Sequence, residues 1–263
     1  MLPHVRIAGV KVATASRVEL SEAMVADCNA WAKVGKRVRP RLVFDANGHG
    51  ISLAARDIRY RSALEHADII HADGGFIVTA SRWLAGEKIA ERSATTDLIH
   101  DFAAAAALND LSFYLLGGTE EVNSGCARRL QELYPGLRIA GRRNGYFGVG
   151  QLGDVIEVIN EAAPDLLWIG LGKPREQVIV AENADRICAG WAITCGGCFD
   201  YIAGNYSRAP MWMRRLNLEW LYRAFTEKRL FWRYLVTSPH AIWLTLTRVD
   251  RRIYGSASER HSV

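Results

Sequence analysis

The sequence predicts an α/β fold: a Rossmann-like, mainly parallel sheet with helices on both faces, followed by a C-terminal amphipathic helical appendage. Three observations predict it. Short apolar runs alternate with helical periodicity over residues 1–204, the spacing expected of parallel strands joined by helical crossovers. Each run ends in a polar or glycine-rich turn, as strands do at the ligand-binding edge of such a sheet. After Gly204 the strand signals stop and only helical patterns continue. The expected division is therefore an α/β body (1–204) and a helical appendage (205–263).

Residues 41–45, 67–71, 112–116, 165–170 and 191–194 are apolar runs of strand length and read as buried strands. Between them, 19–33, 51–65, 76–84, 95–107, 120–134, 152–162 and 176–187 carry helical spacing of apolar residues. From Ala209 to Tyr254 the pattern stays helical, with one break at Ser238-Pro239, and predicts two or three amphipathic helices.

The strand rule directs attention to the turns that follow each run. These hold Asn47 with His49, Asp73 with Gly74 and Gly75, Gly117-Gly118-Thr119, Gly172-Lys173 with Glu176 and Gln177, and Cys195-Gly196-Gly197-Cys198. Glycine there permits positive φ and close backbone approach, and a helix N-terminus favours an anion, so a nucleotide diphosphate is the natural guest. One such turn is common to any doubly wound fold; five together point to a binding edge. The C-x-x-C has no second pair at zinc-finger spacing and reads as structural cysteines, and His49 and His71 lack a third ligand. No metal and no cofactor is assigned.

Composition narrows the class further. With 49% hydrophobic and 23% charged residues the chain is neither disordered nor collagenous. Five cysteines without a bridging pattern read as thiols. No apolar window is long enough for a membrane span and the N-terminus lacks a signal pattern, so the expected location is the cytoplasm. The net charge of +5 is unevenly spread: residues 205–263 hold 11 Lys/Arg against 4 Asp/Glu, which leaves −2 for the body. Trp212, Trp220, Trp232 and Trp243 are interleaved with those arginines, a mixture suited to a membrane interface, a phosphate-bearing ligand or a nucleic acid.

Taken in order, Asn47, Ala72-Asp73-Gly74, Glu91-Arg92, Leu115-Leu116-Gly117-Gly118, Tyr134-Pro135-Gly136, Gly145-Tyr146-Phe147, Gly170-Leu171-Gly172-Lys173-Pro174, Phe199-Asp200, Gly204, Arg208-Ala209-Pro210 and Leu218-Glu219-Trp220-Leu221-Tyr222-Arg223 resemble the motifs of the WecG/TagA/CpsF glycosyltransferases, family 26. The resemblance runs from about Ala8 to about Arg233. It implies inverting, metal-independent transfer from a UDP-sugar donor to a sugar carried on a polyprenyl diphosphate. It also implies Asp73 as the base that takes the acceptor proton; from the residues alone, Asp73 equally suits a cap on the helix starting near Gly75. Asn47 matches the Asn of the family's T-x-N turn and is expected to position substrate. Asp45 stands where that turn has Thr, which places a second carboxylate near Asp73 and makes Asp45 a candidate to share or tune the base.

Arg92 matches a family arginine and suits the diphosphate leaving group. Gly117, Gly118, Thr119, Gly172 and Lys173 are expected to bind substrate. So is one of Glu176 and Gln177, which are exchanged relative to the family's G-x-P-K-Q-E turn. The appendage is expected to close the site and dock on the inner face of the membrane, with Arg215 and Arg223 reaching a diphosphate. Two other classes fit parts of the chain, a nucleic-acid-binding module and a nicotinamide oxidoreductase. The acidic balance of the body opposes the first, and the absence of G-x-G-x-x-G after the first strand opposes the second. A homo-oligomer is compatible with the sequence, and no feature specifies one.

Overall fold

Apolar side chains alternate between two cores, and this alternation builds the molecule. The computed structural model describes residues 2–34, 39–85, 87–206, 209–215, 221–222 and 228–248. Strands β3 (Arg41–Ala46), β4 (Ile69–Ala72), β5 (Ser112–Gly117), β6 (Arg138–Arg143), β7 (Leu166–Gly170) and β8 (Trp191–Thr194) form one sheet in the order β4-β3-β8-β7-β5-β6, every pairing parallel. Successive residues of a strand point to opposite faces. Accordingly Val43, Phe113, Leu115, Leu166, Trp168, Trp191 and Ile193 enter one core, while Leu42, Phe44, Tyr114, Leu116, Leu167, Ile169 and Ala192 enter the other.

The first core is closed by α1 (Arg17–Val34), α5 (Thr95–Leu108), α6 (Glu120–Leu133) and the short α9 (Cys198–Ile202). The second is closed by α2 (Gly48–Ala54), α4 (Gly75–Leu84), α7 (Leu152–Ala162) and α8 (Arg175–Glu182). Between α2 and β4 runs α3 (Ile58–Glu65). An antiparallel hairpin of β1 (His4–Ile7) and β2 (Val10–Ala13) adds Val5, Ile7, Val10 and Val12 to the second core and packs beside the edge strand β4. The described residues of the C-terminal region include α10 (Met211–Arg215) and α11 (Lys228–Thr247). The α/β architecture expected from the sequence is thus present.

Several element boundaries differ from the expectation, each for a local reason. The span 51–65 is two helices because Asp57 accepts the Tyr60 amide hydrogen at 3.0 Å and starts a new one. The span 176–187 ends as an α-helix at Glu182 and continues as a 3-10 turn, Ala184–Arg186. Pro239 does not break α11. It lies on the outer side, and the residue whose carbonyl loses its partner, Leu235, is 55% exposed, so solvent is at hand.

α11 docks along α2. Ala241, Leu244 and Thr245 are buried there, and Ser52 Oγ lies 2.8 Å from His240 Nδ1. The opposite side of the same helix exposes Trp232, Leu235, Val236, Ile242, Trp243 and Leu246. Among the described residues no helix is long and apolar enough to cross a membrane.

Candidate active site

β3 and β4 end side by side, in register Asp45 to His71 and Ala46 to Ala72. Their turns are pulled together by the Gly74 amide, which donates to the Ala46 carbonyl at 2.9 Å. A side chain at position 74 would meet the Asn47 Cα at 3.0 Å, so glycine lets the two turns touch. This contact sets Asp73 against Asn47.

Asn47 caps α2 with its Oδ1, which accepts the Gly50 amide hydrogen at 3.0 Å. Its Nδ2 donates to Asp45 Oδ2 at 2.9 Å and to Asp73 Oδ2 at 3.2 Å. Asp73 does not cap its own helix: the cap residue of α4 is Gly74, with no side-chain bond. Instead Asp73 Oδ1 accepts the Thr95 amide hydrogen at 3.0 Å, at the N-terminus of α5, whose own cap residue Ala94 offers no side chain. Burial alone would raise the Asp73 carboxyl, but the charges of Arg92 and Lys173 and the Thr95 amide outweigh it and hold Asp73 below the usual carboxylate range. Arg92 also donates from Nε to the Asp73 carbonyl at 2.7 Å.

Asp45 is buried and both of its carboxylate oxygens accept from Lys173 Nζ, which arrives from the β7–α8 turn. His71, fully buried, donates from Nδ1 to the Ser93 carbonyl at 2.8 Å, and burial keeps it neutral. Among the described residues its Nε2 has no hydrogen-bond partner. Burial, together with Arg233 and Lys173, pushes His49 down to about 4.

Glu176 and Gln177, one of which is expected to bind substrate, are both fully buried. Glu176 Oε2 accepts three backbone amides, from Leu171 at 3.1 Å, Gly172 at 2.9 Å and Gly196 at 3.1 Å. It thereby ties the turn after β7 to the turn after β8. Burial pushes its carboxyl up to about 7 against the opposing pull of Lys173 and the amides. Gln177 Nε2 spans Glu176 Oε1 at 3.0 Å and Thr194 Oγ1 at 3.1 Å.

Gly117, Gly118 and Thr119 lie farther along the edge. β3 and β5 are separated by three inter-strand steps of about 4.8 Å, roughly 14 Å. Gly117 has φ +137, and a Cβ there would sit 2.2 Å from the Gly170 carbonyl oxygen, so β5 and β7 close only over glycine. Thr119 Oγ1 caps α6 by accepting from Val122, and Glu120 and Glu121 occupy that helix's first turn. Those carboxylates oppose the anion expected at this turn.

β5 and β7 are also where the chain direction reverses across the sheet, since β5 leads outward to β6 and β7 leads back to β8. Beside them opens a cavity of about 510 Å³ lined by Tyr114, Arg142, Arg143, Asn144 and Tyr146 among others. Of these, the sequence motifs include Tyr146, in Gly145-Tyr146-Phe147, and none of the others. β6 was not recognised as a strand, and applying the strand-end rule to it would have found Arg143 and Asn144.

The structure thus brings Asp45, Asn47, Asp73, Arg92 and Lys173 into one cluster, with Gly172 and Glu176 directly behind it. Arg223 lies outside the described residues, and of Arg215 only its place in α10 is described. Cys195 and Cys198 belong to the first core, where burial raises the Cys195 thiol. Among the described residues no group of three or more His, Cys, Asp or Glu side chains is placed to hold a metal ion.

Residues 5–253 match the family model described as "Glycosyl transferase WecG/TagA/CpsF family". Among curated proteins the chain is similar to three named N-acetylglucosaminyldiphosphoundecaprenol N-acetyl-beta-D-mannosaminyltransferase. That of Bacillus subtilis (strain 168) is 28% identical over 79% of this chain and 80% of its own length. That of Bacillus spizizenii is 30% identical over 73% and 74%, and that of Staphylococcus aureus (strain MRSA252) is 29% identical over 70% and 72%. The nucleic-acid-binding and oxidoreductase readings therefore give way, and with a family match across nearly the whole chain this protein belongs to the WecG/TagA/CpsF glycosyltransferases.

Proposed function

We propose that the protein moves a sugar from a UDP-sugar to a sugar mounted on a polyprenyl diphosphate, with inversion and without a metal ion, in the assembly of a bacterial surface polysaccharide. The observation that carries this reading is the Asp73 carboxylate at the carboxyl edge of β4, ionised and oriented by two hydrogen bonds. In this role Asp73 takes the proton of the acceptor hydroxyl as its oxygen attacks the anomeric carbon, and UDP departs from the opposite side. Arg92, anchored on the Asp73 carbonyl, is assigned to the charge that develops on the leaving diphosphate. The donor is assigned along the carboxyl edge, its sugar at Asp73 and its nucleoside toward the Tyr146 cavity; β4, which carries Asp73, and β5 lie four inter-strand steps apart, roughly 19 Å.

The relatives' names give an acceptor, N-acetylglucosaminyldiphosphoundecaprenol, and the same class of lipid-linked acceptor is assigned to this chain. A lipid-borne acceptor requires the enzyme at the membrane surface. The apolar outer side of α11 and the basic balance of residues 205–263 support docking there.

The test is a screen of UDP-sugars for UDP release in the presence of a synthetic prenyl-diphosphate sugar, with Asp73→Asn alongside. The variant is expected to lose at least about a hundredfold in turnover while still binding donor. Retention of more than about a tenth of turnover overturns Asp73 as the base. Activity is expected to survive EDTA; loss restored by Mg²⁺ or Mn²⁺ overturns the metal-free reading.

A further inference from the structure

Lys173 and Asp45 are withdrawn from solvent, with 9% and 5% of their side chains exposed. Taking both charges out of water carries a desolvation cost that their attraction does not dependably offset. Asn47 shows what the pair achieves. The two hydrogens on its Nδ2 go to Asp45 and Asp73, and its Oδ1 takes the Gly50 amide. Turned over, the amide would aim its oxygen at two carboxylates and its NH₂ at a backbone N–H. Only one orientation is electrostatically allowed.

We propose that Lys173 and Asp45 form a positioning pair, neutral as a unit, that locks the Asn47 amide so that it delivers one N–H to Asp73. The proposal rests on the reading of Asp73 as base. Asp45 is then neither a second base nor a partner in proton transfer, since its oxygens are engaged by the Lys173 ammonium and the Asn47 amide. Lys173 is likewise not a phosphate ligand.

The charged and titratable groups around Asp73 come from several elements. Arg92 comes from the segment between α4 and α5, Lys173 from the β7–α8 turn, Asp45 from β3 and neutral His71 from β4; the Thr95 amide comes from α5. Lys173 is in turn faced by Tyr60 of α3 and Glu176 of α8. Remove Lys173 and two carboxylates share one amide, so the pair takes up a proton at higher pH. Remove Asp45 and a buried ammonium loses its counter-charge while Asn47 loses one anchor.

The experiment is the pH dependence of kcat and kcat/KM for the wild type, Lys173→Met, Asp45→Asn and the double variant. In Lys173→Met the acid limb is expected to move up by at least about one pH unit and kcat at pH 7 to fall about tenfold or more. Donor KM should stay within about twofold. In the double variant the limb is expected to return and most of the lost kcat with it, a coupling opposite to additive loss.

A Lys173→Met enzyme with a raised donor KM and an unmoved limb assigns Lys173 to substrate and overturns the proposal. If a single variant fails to fold, the double variant decides, because it carries no unpaired charge. Turnover within about tenfold of wild type supports the pair, and loss as deep as that of Asp73→Asn overturns it. Full turnover in Asp73→Asn, by contrast, removes the base itself, whatever the pair variants do.

Discussion

A carboxylate held below its usual range is ionised throughout the neutral region and is a weak base, so Asp73 suits a reaction in which the acceptor hydroxyl becomes acidic late, as the new bond forms. The acid limb of kcat/KM is accordingly expected below the range of an ordinary aspartate, read as a flat profile between about pH 5 and 7. Glu176 runs the other way. Its folded value is raised from 4.5 to about 7, so its contribution to stability is full below about 4.5 and is lost as pH rises through about 7. His49 and His71, both lowered by burial, contribute in the opposite sense, their share being lost as pH falls. The informative quantity is therefore the difference in urea midpoint between wild type and Glu176→Gln, which is expected to change in favour of the variant from pH 5 to pH 8. A constant difference would remove Glu176 from the titration. At Gly117, alanine is expected to destabilise by at least about 2 kcal/mol, since its methyl would overlap the Gly170 carbonyl. Asp73 and Asn47 were legible in the sequence because a polar residue after an apolar run has few structural duties. The Lys173 bond to Asp45 joins positions 128 residues apart and was not legible. Nor was the Thr95 amide, because a backbone donor leaves no trace in side-chain identity.

Among the elements, the five strands legible in the sequence are those buried on both faces, where apolar residues dominate and the polar ones, Arg41, Asp45, His71, Ser112 and Thr194, sit at or next to the ends. β6 and the β1–β2 hairpin escaped notice for the converse reason. β6 is an edge strand whose sequence holds Arg138, Arg142 and Arg143 and whose residues are exposed or half-buried; charge on an edge strand discourages pairing with another chain but erases the apolar signature. In the hairpin Arg6 and Lys11 alternate with buried valines and isoleucine over only four residues per strand, too few to establish a period. α11 was legible as helix but not as a partner of α2, because its apolar residues occupy two sides; among the described ones Ala241 and Leu244 turn inward, beside Thr245. Leu244→Ala is expected to cost about 2–4 kcal/mol if α11 unfolds together with the body. Should the cost stay below about 0.5 kcal/mol, α11 melts separately and does not stabilise the sheet.

At the scale of the whole molecule, cleft and appendage are tied through α2. The turn that carries Asn47 starts this helix, and α11 lies along it. A chain ended at residue 204 is therefore expected to leave membranes in cell fractionation and also to lose transfer to a short, water-soluble acceptor. Full activity on that acceptor would reduce residues 205–263 to a tether. Anionic vesicles are expected to bind the complete chain more tightly than zwitterionic ones, with salt weakening only the difference. A helix of 20 residues is about 30 Å long, so the exposed row from Trp232 to Leu246 is a line rather than a point. Two-dimensional encounter follows if that line lies on lipid, as proposed. An enzyme lying flat on lipid meets its acceptor by lateral diffusion, and the concentration it senses is a mole fraction in the bilayer. Diluting the acceptor with inert lipid at constant bulk amount is then expected to slow turnover, whereas adding more vesicles of unchanged composition is not.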